Sequence, residues 1–101
     1  MSANSYQFTA PLWKWKSDSA WHFVTLPFEQ ADEIDERTAH VQRGFGSVKV
    51  RVTVGRTTWT TSVFPASGEE SYILPVKAAV RKAEGIGEGD PVTVVLELVD
   101  V

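Results

Sequence analysis

The chain contains no cysteine. Disulfides and thiolate metal sites are therefore excluded, and the sequence is compatible with a reducing compartment. There is no excess of basic charge either: Lys and Arg number 10 against 13 Asp and Glu, for a formal net charge of −3. A global electrostatic case for binding nucleic acid or an anionic membrane is absent, and any such contact would need a local patch. Long apolar runs are missing too. No stretch approaches the ~20 apolar residues of a membrane span. The opening MSANSYQFTAPLWKWKSD has no apolar stretch before Lys14, so it lacks a signal-peptide core. A soluble, cytoplasmic protein is the expectation. The metal and nucleophile signatures His-Glu-x-x-His, Asp-x-Asp-x-Asp-Gly and Gly-x-Ser-x-Gly do not occur. No cofactor and no catalytic role are expected.

What is present is a strand-rich pattern. With 101 residues, 43% of them hydrophobic, the chain suits one domain over residues 1–101. From Tyr6, alternation puts Tyr6, Phe8, Ala10 and Leu12 on one face, then Trp13 and Trp15 on the other. The phase change falls at Pro11, which donates no ladder bond, so a bulge or twist is expected there. Ser17–Ser19 reads as a turn and Trp21–Leu26 as a second strand. Pro27 then opens a helix with Phe28, Ala31 and Ile34 as its apolar stripe and acids over the rest, ending before Gly44. Ser47–Val54 alternates cleanly, and Gly55-Arg56 suits a two-residue type II′ hairpin turn. A strand over Thr57–Pro65 follows, with a loop over Ser67–Glu70 and a short strand over Tyr72–Leu74. Pro75 opens a second helix, with Val76, Ala79, Val80 and Ala83 as its buried face. Val92–Val99 is apolar at nearly every position, which predicts a strand that is central or buried on both sides.

Two segments share an order of features. FVTLP leads into a helix, a glycine-containing turn and the Val-x-Val strand from Val48; YILP leads into a helix, a glycine-containing turn and the Val-x-Val strand from Val92. Each half, about residues 5–54 and 57–100, reads β-β-α-β. An internal duplication is inferred, with the two halves forming one six-stranded closed barrel and two helices plugging it. Leu-Pro before a helix and Gly before a strand are also common punctuation, but four features recurring in one order favour the repeat.

The segments WHFVTLP, RGFGSVKVRVTVG, WTTSVFP, YILPVKAAVRKAEG and GDPVTVVLELV, in that order, resemble a prokaryotic family catalogued as domain of unknown function nineteen-oh-five. The resemblance covers nearly the whole chain. It implies a small closed barrel capped by helices, similar to the double-split barrel of AbrB-type and MazE-type transcription factors. It brings no catalytic residues.

Pairing the central hairpin through its turn sets Val54, Val52, Val50 and Val48 opposite Thr57, Trp59, Thr61 and Val63 on the core face. On the other face Thr53, Arg51, Lys49 and Ser47 meet Thr58, Thr60, Ser62 and Phe64. Lys49 and Arg51 among the hydroxyls of Thr58, Thr60 and Ser62 form a candidate anion or nucleic-acid contact. A solvated outer sheet face explains the same pattern and is preferred. Trp13 and Trp15 alternate with Lys14 and Lys16, an arrangement for base stacking if exposed and for core packing otherwise. His22 would act as a base beside Ser62 or Thr60, against the plainer reading of a satisfied strand histidine. His40 would suit a helix C-terminus. Asp32, Asp35 and Glu36 share a helix face without a metal motif. Gly85–Asp90 resembles a phosphate loop, but it precedes a strand, so it reads as a helix cap and turn. Lys77 and Arg81 project together from the second helix and are candidates for a partner-facing surface, with solvation preferred.

The expected function is a non-catalytic binding or interaction module for a small anionic ligand or a protein partner. The alternatives are an AbrB-like DNA-binding regulator and, last, a small hydrolase using His22. Nucleic acid and membrane are not expected partners, and the expected state is a monomer or weak dimer.

Overall fold

A computed structural model describes residues 4–16, 20–39, 46–66 and 71–99. The expected turn at Ser17–Ser19, the loop at Ser67–Glu70, the end of the first helix towards Gly44 and His40 lie outside them. The elements run β1 (Ser5–Pro11), β2 (Trp13–Lys14), β3 (His22–Thr25), α1 (Phe28–Thr38), β4 (Val48–Val54), β5 (Thr57–Pro65), β6 (Tyr72–Pro75), α2 (Ala78–Glu84) and β7 (Pro91–Leu98). All strand pairs are antiparallel, in the order β1-β7-β4-β5-β6-β3-β2. The end strands, β1 and β2, are consecutive in the chain, so the sheet curls into a nearly closed barrel.

This corrects the six-stranded closed barrel. The first strand splits in two, giving seven, and the split has a backbone cause. Pro11 pairs with Pro91 at the end of the β1–β7 ladder, and proline has no N–H to donate. Leu12 then leaves the ladder. Its N–H donates to the Asp90 carbonyl at 2.9 Å, and its own carbonyl accepts from Gly89 N–H at 2.7 Å. Gly89 sits at φ 90, the left-handed region that favours glycine. Beyond this corner, Trp13 and Lys14 pair with Phe23 and His22. One sheet is thus β1-β7-β4-β5 and the other β5-β6-β3-β2. β5 serves both without a break, through Thr57–Val63 on β4 and Phe64–Pro65 on β6. The pairings of β4 with β7 and of β3 with β6 tie the two halves of the chain together.

The core is aliphatic. Val48, Val50, Val52 and Val54 of β4 and Val92, Val94, Leu96 and Leu98 of β7 are buried, with Leu12, Val24, Val63 and Leu74. Both helices contribute: Ala31 and Ile34 from α1, Val80 from α2. The hairpin register follows the expectation residue for residue, from Val48 opposite Val63 to Val54 opposite Thr57. Other readings change. β7 is central, between β1 and β4, but only alternate residues are buried and Val95 is exposed. One sheet face is therefore solvated, as antiparallel sheets allow. Pro75 closes β6 rather than opening a helix, and α2 begins three residues later; Ala79 and Ala83 are exposed. Pro27 is the N-cap of α1, and Phe28 at its first position is exposed. Gly85, at φ 64, caps α2 as expected, with Ile86 N–H donating to the Arg81 carbonyl at 3.0 Å.

The hairpin turn is pinned to α2. The Glu84 carboxylate accepts from the Thr57 hydroxyl at 2.6 Å and from Arg56 N–H at 3.3 Å. Gly55, at φ 59, lies so close to Glu84 that a β-carbon there would collide with the carboxylate. Gly55→Ala combines left-handed strain with that collision and is expected to destabilise the fold by about 2 kcal/mol. Leu12→Ala, which empties a buried site at the corner, is expected to lose about 3 kcal/mol. Chemical denaturation of each variant checks both, and a midpoint equal to that of the parent protein would contradict the account of that position.

Candidate functional site

The outer faces of the two sheets differ in chemistry. Across β1-β7-β4-β5 the outward residues are polar, and most are already partnered. Thr9 and Thr93 share a hydrogen bond at 2.9 Å, as do Thr53 and Thr58. Arg51 donates to the Glu97 carboxylate at 2.9 Å. That exposed pair contributes little to stability, but it neutralises one of the two cations, Lys49 and Arg51, on which the anion-face expectation relied. Lys49 stands opposite Ser62 and Arg51 opposite Thr60, as anticipated.

The second sheet has the opposite character. Val24, Val63, Tyr72 and Leu74 point into the core. Their strand neighbours Phe23, Phe64 and Ile73 therefore project outward, where alternation in a half-solvated sheet would put polar residues. Trp15 and Trp21 flank them. Trp21 and Trp15 are 60% and 56% exposed, and Phe64 is 42% exposed. With Pro75 these side chains line a cleft of about 540 Å³. Its floor is ordered. Phe23 lies between two indoles, 5.1 Å from Trp13 and 6.1 Å from Trp21 by ring centroids, with Trp21 only 10° from parallel. Trp13 Nε1 donates to the Thr25 hydroxyl at 2.9 Å, which fixes that ring. Trp15 N–H donates to the Trp21 carbonyl at 3.1 Å, extending the β2–β3 ladder. The Lys16 ammonium lies 4.4 Å from the Trp15 ring centroid, a cation–π contact.

A second cleft of about 390 Å³ adjoins the first and shares Trp21, Thr61 and Pro75 with it. His22, Thr60, Lys77 and Arg81 line it, as does Trp59, which is packed against the core. Arg81 is held in place: Nε donates to the Val76 carbonyl at 3.2 Å and an Nη to the Ala20 carbonyl at 3.3 Å. His22 Nδ1 donates to the same Ala20 carbonyl at 2.9 Å. A carbonyl only accepts, so Nδ1 carries a proton. None of the described residues lining the two clefts is acidic.

The expected site residues therefore divide. Trp15, His22, Thr60, Lys77 and Arg81 gather around the joined clefts. Trp13 supports their floor. Lys49, Arg51, Thr58 and Ser62 belong to the other sheet's outer face. The residues that sequence reasoning missed are Trp21, Phe23, Phe64, Ile73 and Pro75. The available signal was their phase: each is an apolar residue at an outward position, alternating with a core residue.

A separate cleft of about 390 Å³ lies between α1 and β6, with Phe28, Asp32, Asp35 and Tyr72 in its lining. The Tyr72 hydroxyl donates to Asp35 Oδ1 at 3.1 Å. Among the described residues no group of three or more His, Cys, Asp or Glu is arranged to hold a metal. Burial, then the charge of Asp35 and the hydrogen bond to it, push the Tyr72 phenol up from 10.0 to about 12. Burial and Glu33 push Tyr6 up as well. The fold thus favours the neutral phenols. Between pH 10 and about 12 the unfolded chain ionises where the folded chain does not, so stability falls across that window. Ultraviolet titration of the two tyrosines is expected to show ionisation above the ordinary phenol range. Tyr72→Phe should make the alkaline loss of stability shallower, and an unchanged slope would contradict the assignment.

No curated protein matches the chain. Residues 8–96 match a family model described as a domain of unknown function, DUF1905. The match covers most of the barrel, from β1 to β7, and the chain belongs to that family.

Proposed function

We propose that this domain is a non-catalytic ligand-binding module whose site is the aromatic outer face of the β5-β6-β3-β2 sheet. The observation that carries the reading is the cleft of about 540 Å³ formed by Trp15, Trp21, Phe23, Phe64, Ile73 and Pro75. Large apolar side chains gathered at outward positions mark interaction sites more often than scattered ones do. The volume lies within the range of roughly 300–1,000 Å³ typical of small-molecule sites. Ordered rings lower the entropy lost on binding, because the floor is held before a ligand arrives. A bacterial, cytoplasmic setting belongs to the same reading, and the complete absence of cysteine fits it.

The two alternatives gain no observation. A hydrolase would need a hydroxyl bonded to the imidazole; Thr60 lines the same cleft as His22, but the ring's described bond runs from Nδ1 to the Ala20 carbonyl, and Ser62 stands on the other sheet's outer face. A DNA-binding regulator would need a shared basic surface, whereas Arg51 is paired with Glu97.

A melting screen against small apolar compounds tests the reading. Binders should raise the melting temperature of the parent protein and of Phe28→Ala, but not of Trp21→Ala. Trp21 is mostly exposed, so its removal should leave the fold intact. Shifts that survive Trp21→Ala, or that vanish with Phe28→Ala, would move the site to the α1–β6 cleft and refute the proposal.

A further inference from the structure

We infer that the joined clefts take a small planar aromatic anion, an aryl carboxylate, with its ring against Trp21 and its carboxylate at Arg81 and Lys77. The inference rests on the cleft being the binding site and adds the chemistry of what fills it.

Three observations converge. The first is shape. Trp21 and Phe23 lie nearly parallel, 10° apart, and Trp21 forms part of both clefts. A parallel, exposed ring platform suits a flat partner, which stacks with an offset on the indole face. The second is charge. The chain as a whole carries −3, with 13 carboxylates. Even so, the described lining of the adjoining cleft has two cations, one histidine and no acid. Among the described residues an anion there meets attraction without a competing carboxylate, while a cationic ligand would meet like charge. The third is preorganisation. Arg81 uses two of its five N–H donors on the Val76 and Ala20 carbonyls. Those bonds hold the guanidinium in place and leave three donors for an incoming carboxylate. Lys77 forms no ion pair among the described residues.

A second copy of the chain is the competing occupant, since an apolar sheet face also suits a dimer. Charge complementarity favours the aryl carboxylate. Two copies meeting face to face through a two-fold would bring four such cations into one interface, with no acid in the described lining of either copy's clefts to offset them.

Calorimetric titration with 1-naphthoate and its neutral isostere 1-naphthamide tests the inference, with sedimentation of the same samples. The acid is expected to bind at least about tenfold more tightly than the amide. Lys77→Gln and Arg81→Met should each weaken the acid more than the amide and so shrink that preference. Arg81→Met also removes two backbone contacts, so its melting temperature is measured alongside. Lys77→Gln, at a position whose side chain makes no cap bond, keeps the test open if the other variant fails to fold. Equal binding of acid and amide would overturn the anion assignment and leave the cleft as the site. Binding of neither compound would overturn both. A dimer that Trp21→Ala converts to monomer would assign the face to a second copy and overturn the inference.

Discussion

Leu12 is bonded on both sides to the same turn, through its N–H to Asp90 and its carbonyl to Gly89. Much of the architecture depends on that clasp. A single straight strand could not pair with β7 along its first half and with β3 along its second. Two facing prolines end the first ladder, and the clasp carries the chain around the corner with its backbone groups still satisfied, as a buried position requires. The curl of the barrel follows, because β1 and β2 become the two ends of one sheet. The clasp also transfers Trp13 and Trp15 from the sheet that packs on β7 to the one that packs on β6.

That transfer connects the corner to the candidate site. The first sheet presents threonines, an ion pair and paired hydroxyls to water, an ordinary surface for an antiparallel sheet. The second gathers aromatic side chains from β3, β5 and the ends of β2 and β3, with Lys77 at the N-cap of α2 and Arg81 in its last turn beside them. Apolar rings next to cations that form no ion pair among the described residues are useful for recognition. The rings exclude water from the ligand body, and the cations orient its charged end, where low local polarity strengthens each contact. The features described are surface, fixed donors and shape, the resources on which a binding site draws.

The hairpin from Val48 to Pro65 was legible to the residue because its turn is two residues long and its valines alternate without interruption, which leaves one register. The corner at Pro11 was legible as a phase change, though its consequence, a seventh strand, depends on partners that local pattern does not name. β7 misled because Val95 is apolar yet faces outward, so a run of valines and leucines looked buried on both sides. α2 was placed too early because Pro75 can end a strand as well as begin a helix. The aromatic face was the least legible feature. Phe23, Phe64 and Ile73 are separated by long stretches of chain, and each looks like one more apolar strand residue. Only the pairing of β3 with β6 and β6 with β5 brings them onto one surface. The polar hairpin face is easier to read because its residues are close in sequence.

The central claim is that the ring platform around Trp21, rather than the acidic cleft of α1, holds the ligand. Intermolecular nuclear Overhauser contacts in a complex with 1-naphthoate test it most directly. The account predicts contacts from the naphthalene protons to the Trp21 indole and to Pro75, with the carboxylate-bearing edge towards Arg81. Contacts to Phe28 and Tyr72 in their place would contradict it.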